Sequence, residues 1–207
     1  MLHSREKGTK RDMRVERIKY IYKLISFSVL ICFNYIGSAM AAEEPKYELI
    51  KSTDVYEIRY YEDRLAVQTV QAPGEDRAFR RLFNYISGSN QRSSKIAMTT
   101  PVTETDEGGG GLVMHFFLPK SFTEQTAPLP QADNVKLVMV KGGYYAVIKY
   151  SGRSTNQNFK RHAALLRDAL NKDDVALKSD SIKATYNAPF TPSFLRRNEV
   201  MYRVDWE

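Results

Sequence analysis

Leu65-Ala66-Val67-Gln68-Thr69-Val70 opens the stretch whose order of elements decides the fold. It is short, β-branched and apolar, as a strand should be, and Ala72-Pro73-Gly74 stops it. A helix is expected next, over 75–87. Ala78, Phe79, Leu82, Phe83, Tyr85 and Ile86 recur at helical spacing, Arg77, Arg80, Arg81 and Asn84 fall elsewhere, and Gly88 suits the position after the cap. Strands are expected at Ile96–Val102 and Leu112–Leu118, with an acidic, glycine-rich loop between them. The unit is strand, helix, strand, strand. It returns as Tyr144–Tyr150, a helix over 155–170, Ile182–Ala188 and Val200–Trp206. In that second helix Phe159, Ala163, Leu166 and Leu170 mark the buried face, and Ser154-x-x-Gln157 fits a capping box. Pro101 and Pro189 fall at equivalent places, and Leu112-Val113-Met114-His115 resembles Glu199-Val200-Met201-Tyr202. Two similar halves should therefore form one α+β domain, sheets paired and helices outside. Halves so related leave a groove between them, a common place for a ligand.

Outward from this core, Tyr47–Ile50 and Val55–Tyr61 read as strands before the first unit. Val135–Val140 reads as a strand joined to Tyr144–Tyr150 at Gly142-Gly143. The run Gly108–Gly111 lacks the Lys-Ser/Thr of a phosphate loop and precedes a strand, so a hairpin tip explains it better.

The N-terminus has a different character. Residues 1–41 hold eight bases and three acids, so they carry +5 of the formal +7, and 42–207 retain only +2. That remainder lacks the clustered basic footprint of a nucleic-acid binder. Basic residues run to Lys23, thirteen mostly apolar residues follow from Leu24 to Ile36, and Ala39-x-Ala41 is a small-residue cleavage pattern. This is the grammar of a secretory signal peptide, and the apolar run is short for a membrane span. The expected organisation is a leader over 1–41 and one domain over 42–207, secreted or periplasmic, with no stable membrane span after cleavage. Cys32 is the single cysteine and lies in the leader, so the mature chain has no thiol for a disulfide, a nucleophile or a metal.

Few residues in 42–207 are suited to catalysis. No G-x-S-x-G elbow or H-E-x-x-H is present, and the carboxylates are scattered through turns. His115 lies in a strand with Val113 and Phe117 on its face, and is expected to be half-buried and hydrogen-bonded. His162 lies mid-helix beside Arg161 and reads as a surface residue. The two come from different elements without metal-ligand spacing, and no metal site is expected. Arg196-Arg197-Asn198-Glu199 reads as a structural clasp with its charges paired in the fold.

Three stretches carry a family resemblance. Lys95-Ile96-Ala97-Met98-Thr99-Thr100-Pro101-Val102 resembles the central signature of the SOUL heme-binding family. Tyr186-Asn187-Ala188-Pro189-Phe190-Thr191-Pro192, with Arg196-Arg197-Asn198-Glu199-Val200, is similar to its C-terminal signature, and Tyr56-Glu57-Ile58-Arg59-Tyr60-Tyr61 to its opening strand. They keep the family's order from about Tyr47 to Val204. The resemblance implies a distorted β-barrel of eight or nine strands with two main helices, and binding of heme or a related tetrapyrrole in a groove against the first helix.

On this chain the implied site comprises Phe79, Arg80, Phe83 and Ile86, with Met98 from the signature loop and Tyr60 from the opening strand. Phe79 and Phe83 either pack in the core or wall the ligand. Arg80 and Arg81 either are solvated or pair with heme propionates. Met98 is either a gap-filling core residue or a soft contact or weak axial ligand. Tyr60 stands where some vertebrate members have a His proposed as an iron ligand. A phenol needs a nearby cation to ionise, and Arg59 should face the other side of the strand. Heme binding with weak or no axial ligation, for carriage or buffering and without catalysis, is the function implied. The alternatives are a module for another hydrophobic small molecule, a hydrolase of an envelope metabolite, and an envelope interaction protein. Oligomeric state is not legible.

Overall fold

A computed structural model describes residues 42–106 and 111–206; the expected leader, 1–41, lies outside them. In chain order the elements are β1 (Glu48–Ser52), β2 (Glu57–Tyr61), β3 (Arg64–Gln71), α1 (Ala78–Ile86), β4 (Val102–Asp106), β5 (Leu112–Phe117), β6 (Lys136–Val140), β7 (Gly143–Tyr150), α2 (Asn156–Lys172), β8 (Ile182–Thr185), a 3-10 turn (Ser193–Leu195) and β9 (Asn198–Arg203). The strands form one antiparallel sheet, ordered β1-β2-β7-β9-β8-β4-β5-β3-β6, which curls into a half-barrel. The repeat is visible in that order. The first half contributes β4-β5-β3 and the second β8-β9-β7, meeting where β4 pairs with β8. This is the α+β, two-half architecture expected from the sequence.

The halves exchange their leading strands. β2 pairs with β7 and β6 pairs with β3, so the β2–β3 and β6–β7 connections meet. Gly142 sits at that meeting point. A Cβ there would stand 2.6 Å from the carbonyl carbon of Glu62 and 2.9 Å from the nitrogen of Asp63. The contact is fastened by the Gly142 N–H donating to Asp63 Oδ1 (2.9 Å) and by Lys141 Nζ on Asp63 Oδ2 (2.8 Å).

Strand alternation sorts the side chains between the two faces. On the outer face, Leu65, Val67, Met114, Phe116 and Leu118 pack under α1 with Ala78, Leu82, Tyr85 and Ile86. Ile58, Ala146, Tyr150, Val200 and Tyr202 pack under α2 with Ala163, Leu166 and Leu170. The inner face carries a third cluster, Tyr61, Tyr145, Val147, Ala184, Tyr186 and Met201.

Some boundaries differ from the sequence reading. The expected strand Ile96–Val102 forms only from Val102 onward. The residues before it bond piecemeal: the Ile96 N–H donates to Ile86 O, the Thr100 N–H to Glu43 O, and Thr99 Oγ1 to Phe117 O. Pro101, without an N–H, cannot join a ladder. α1 starts at Ala78, its N–H received by the Gln71 side chain (3.1 Å), because the Pro73-Gly74 turn occupies the residues before it. The cap of α2 is Thr155, which accepts from the Asn158 N–H, while Ser154 Oγ is 3.3 Å from Thr185 Oγ1. The expected capping box at Ser154 is thus replaced by a single side-chain cap one residue later, with the Asn158 side chain turned to Ser151 O and Arg153 O. Gly88 follows α1 with φ +119°, as its glycine implies.

Candidate functional site

The two faces of the sheet offer two different hollows. On the outer side, Phe79 and Phe83 lie one turn apart on α1, 48% and 49% exposed. Their rings are nearly parallel, with centroids 6.0 Å apart and planes at 14°, and Phe79 stands edge-on to Phe116 at 5.1 Å. The residues beneath α1 explain why they stay open. Ala78, Leu82, Tyr85 and Ile86 already fill the seam against the sheet, and positions 79 and 83 fall on its flank. The result is an apolar shelf beside the exposed Arg80.

The residues expected at the site divide accordingly. Phe79, Arg80 and Phe83 share the shelf. Ile86 is 5% exposed and belongs to the core beneath it, and Met98 is partly buried against the same core. Tyr60, on the outer face of β2, pairs with Tyr144 (5.2 Å), which packs on the α2 cluster. Arg81 pairs with Glu75 (2.7 Å) and donates to Val70 O. Tyr85, the tyrosine of α1, is buried with its hydroxyl donating to Pro128 O (2.7 Å), and burial raises its pKa to about 12.

The inner hollow has a small chamber of about 90 Å³ walled by Tyr61, Phe117, Tyr145, Ile182, Tyr186 and Met201. A wider cleft of about 440 Å³ adjoins it, and Pro45, Glu62 and Arg64 line both. His115 lines the chamber too, with Nε2 3.0 Å from Gln68 Oε1 and its ring stacked by Phe117. Burial pulls its pKa down to about 4, so it is a neutral imidazole near pH 7. His162 stacks on Tyr150 at 4.1 Å, with Nδ1 2.8 Å from Asn158 O. Among the described residues no cluster of His, Cys, Asp and Glu could hold a metal ion, and no helix is long and apolar enough to cross a membrane.

Behind the chamber runs an ionic network. Glu199 is fully buried and accepts from Arg59 (3.1 Å), from the Tyr186 hydroxyl (2.7 Å) and from Arg197 (3.1 Å). Arg59 also bonds Glu57 and the Tyr61 oxygen, and Arg197 also reaches Glu44. Burial opposes the charge on Arg59, but Glu199, the Tyr61 oxygen and Glu57 together outweigh it and hold its pKa above the usual value. The expected clasp at 196–199 is therefore real, and it reaches across to β2. The sequence reading did not single out Tyr61, Phe117, Tyr145, Tyr186 and Met201 as lining a hollow. Period-two alternation from Arg59, His115, Val147 and Glu199 places four of the five on one face and was the available signal.

An α+β domain of two halves, with an aromatic shelf outside and an aromatic chamber inside, has the anatomy of a small-molecule-binding module. The chain belongs to the SOUL heme-binding protein family, whose profile matches residues 42–203. It is similar to heme-binding protein 1 of Sus scrofa, 28% identical over 130 residues, which is 59% of this chain and 67% of that protein. Its fold resembles the C-terminal domain of EcmrR (TM-score 0.57, 9% identity, 78% of this chain and 99% of that one). It also resembles a hydrolase from Listeria innocua (TM-score 0.54, 9% identity, 75% and 94%). At such identities the likeness shows the fold alone.

Proposed function

We propose that the protein binds heme or a related tetrapyrrole on the outer face of α1, as an exported carrier or buffer and not as a catalyst. The observation that carries this is the Phe79–Phe83 shelf: two nearly parallel, half-exposed rings, of the size and flatness that a macrocycle can cover. Membership of a binding family and the likeness to heme-binding protein 1 support it. The inner chamber alone, at about 90 Å³, does not hold a tetrapyrrole, and the cleft of about 440 Å³ beside it is lined by Glu43, Glu62, Asp63 and Glu124, a poor match for propionates. Phe79 and Phe83 would take the ring, Arg80 would face its propionates, and Met98 would line the margin. Bound heme supplies iron and the visible chromophore. Ring burial would contribute roughly 25 cal/mol per Å² of apolar area before costs. Axial ligation should be weak, because His115 and His162 are engaged on other elements and Tyr60 packs on Tyr144.

Hemin titration followed by absorbance tests the reading. Stoichiometric binding with a modest Soret shift is expected, with Phe83→Asp at least tenfold weaker and Tyr60→Phe leaving the spectrum unchanged. Hemin binding no tighter than to an unrelated carrier, unaffected by Phe83→Asp, would overturn it. Export has its own test. The full chain, expressed in a secretion-competent host, should yield a product beginning near Ala42 by mass spectrometry; retention of Met1 in a membrane fraction would refute cleavage.

A further inference from the structure

Arg64 is the cation of the inner hollow. Its guanidinium lies 3.6 Å over the Phe117 ring, and among the described residues it has neither a carboxylate within 4 Å nor a hydrogen-bond acceptor. The other arginines on this face are engaged: Arg59 by Glu57 and Glu199, Arg197 by Glu44 and Glu199, Arg203 by Gly142 O. A guanidinium has five donors; Arg64 is half-buried, and its nitrogens are not sealed from water, so they stand open at the rim of the hollow. Burial pulls its pKa down to about 10, which is what a desolvated cation without a strong counter-charge does.

The phenols and the imidazole of the chamber are already used, while Thr103, Thr105 and Glu62 also line it. Tyr61 accepts from Arg59, Tyr186 donates to Glu199, Tyr145 donates to Lys141 O, and His115 pairs with Gln68. Arg64, at the boundary between the small chamber and the wider cleft, is thus left with free donors in an aromatic surround. The cleft beyond it holds four carboxylates (Glu43, Glu62, Asp63, Glu124) against Lys46, Lys120 and Arg64, and Lys141 neutralises Asp63, so the cleft is close to neutral and a single free guanidinium suits a single carboxylate.

We infer that the inner hollow is a second binding site, distinct from the heme shelf, which takes a small amphipathic monocarboxylate with its chain among Phe117, Tyr145, Tyr186 and Met201 and its carboxylate on Arg64. A cavity of about 150 Å³ accepts a benzene ring. The chamber is about 90 Å³, so it takes the end of a slender alkyl chain better than a ring, with the rest of the chain running out to Arg64 at the boundary with the wider cleft. Bidentate pairing of a planar carboxylate is what the guanidinium geometry favours.

Hexanoate, hexan-1-ol and hexylamine, matched in chain and differing in charge, test this by calorimetry on the full chain. Hexanoate should bind at least tenfold more tightly than either. Affinity should rise about fourfold per methylene from propanoate until the chamber fills. Arg64→Gln should abolish the preference for hexanoate while Arg64→Lys retains part of it, and hemin titration of Arg64→Gln should match the wild type. NMR shifts on adding hexanoate should centre on Phe117, Tyr186 and Met201, not on Phe79 and Phe83. The inference falls if hexanoate binds wild type no better than hexan-1-ol, or if Arg64→Gln binds it undiminished. If Arg64→Gln does not fold, the wild-type comparison of the three ligands decides alone.

Discussion

α1 and α2 hold the same place in the two halves, yet they finish their packing differently. α2 has 17 residues, a side-chain cap at Thr155 and Lys172 in its last turn. It lays Ala163, Leu166 and Leu170 on the sheet, with Phe159 partly buried against the same cluster and His162 covered by stacking on Tyr150. α1 has nine residues and no side-chain cap. It buries Ala78, Leu82, Tyr85 and Ile86 but leaves Phe79 and Phe83 half in solvent. The sheet beneath is nearly symmetric, so the frame does not explain the difference. The repeat builds a stable support, and the helix that leaves aromatic rings uncovered is the one proposed to bind; in the second half the exposed aromatics, Phe190 and Phe194, lie outside the helix. The surface costs little where it lies, because the core below it is complete without it.

The comparison is broken most severely by removing what joins the sheet on its inner side. Glu199→Ala strands Arg59 as a buried charge and releases Tyr186 and Arg197. A loss of about 3–5 kcal/mol is expected, the usual cost of deleting one partner of a buried pair. Urea unfolding measures it, and a loss below about 1 kcal/mol would mean that the network is not sustaining the inner face.

The next test asks whether the two halves carry equal weight. Leu82 and Leu166 are both fully buried, one under each helix. Leu82→Ala and Leu166→Ala should each cost about 2–5 kcal/mol, through lost burial and the cavity left behind. Similar values support a common frame. A much smaller value for Leu82→Ala would make α1 a loosely held element, and its shelf a consequence of poor packing.

A smaller effect distinguishes the halves by pH. His115, in the first half, has its pKa lowered from 6.5 to about 4 by burial. The unfolded chain therefore binds a proton that the folded chain refuses. The stability due to the neutral imidazole is fully present above pH 6.5 and is lost as pH falls through the window from 6.5 to about 4. At 1.36 kcal/mol per unit the loss is on the order of 3 kcal/mol. Urea midpoints at pH 7 and pH 4.5 should differ less in His115→Gln than in wild type; an unchanged difference would place the pH dependence elsewhere.

Much of this fold could be read in advance, because the period-two and helical patterns survive wherever a segment has one buried face. Met114, Phe116 and Leu118 against Val113, His115 and Phe117 is a case in which alternation alone sorted the faces correctly. The strand exchange was not readable. Nothing in Val135–Val140 or Val55–Tyr61 says that β6 pairs with β3 and β2 with β7; that depends on the meeting at Gly142. The site was partly readable for a related reason. Phe79 and Phe83 share the helical period with the core residues, so pattern could not say whether they were buried. Arg64 gives no signal in sequence, since only the fold shows that Glu43 and Glu62 lie near it without forming an ion pair.

The smallest expected effect is on the stability of the shelf itself. Phe83 is 49% exposed and its ring partner is Phe79, not the core. Phe83→Ser gives up part of one ring's burial and one aromatic pair, and should cost less than about 1 kcal/mol. Phe79→Ser should cost somewhat more, since Phe79 also stands edge-on to Phe116. The urea m-value should stay that of wild type in both, because the folded state keeps its core. Hemin affinity should nevertheless fall in both, so stability and binding separate at these positions. At Leu82, one face away on the same helix, the reverse should hold: a large loss of stability with the exposed rings still in place. If Phe83→Ser instead costs 3 kcal/mol or more, Phe83 is structural, α1 is as fully packed as α2, and the contrast between the two halves disappears.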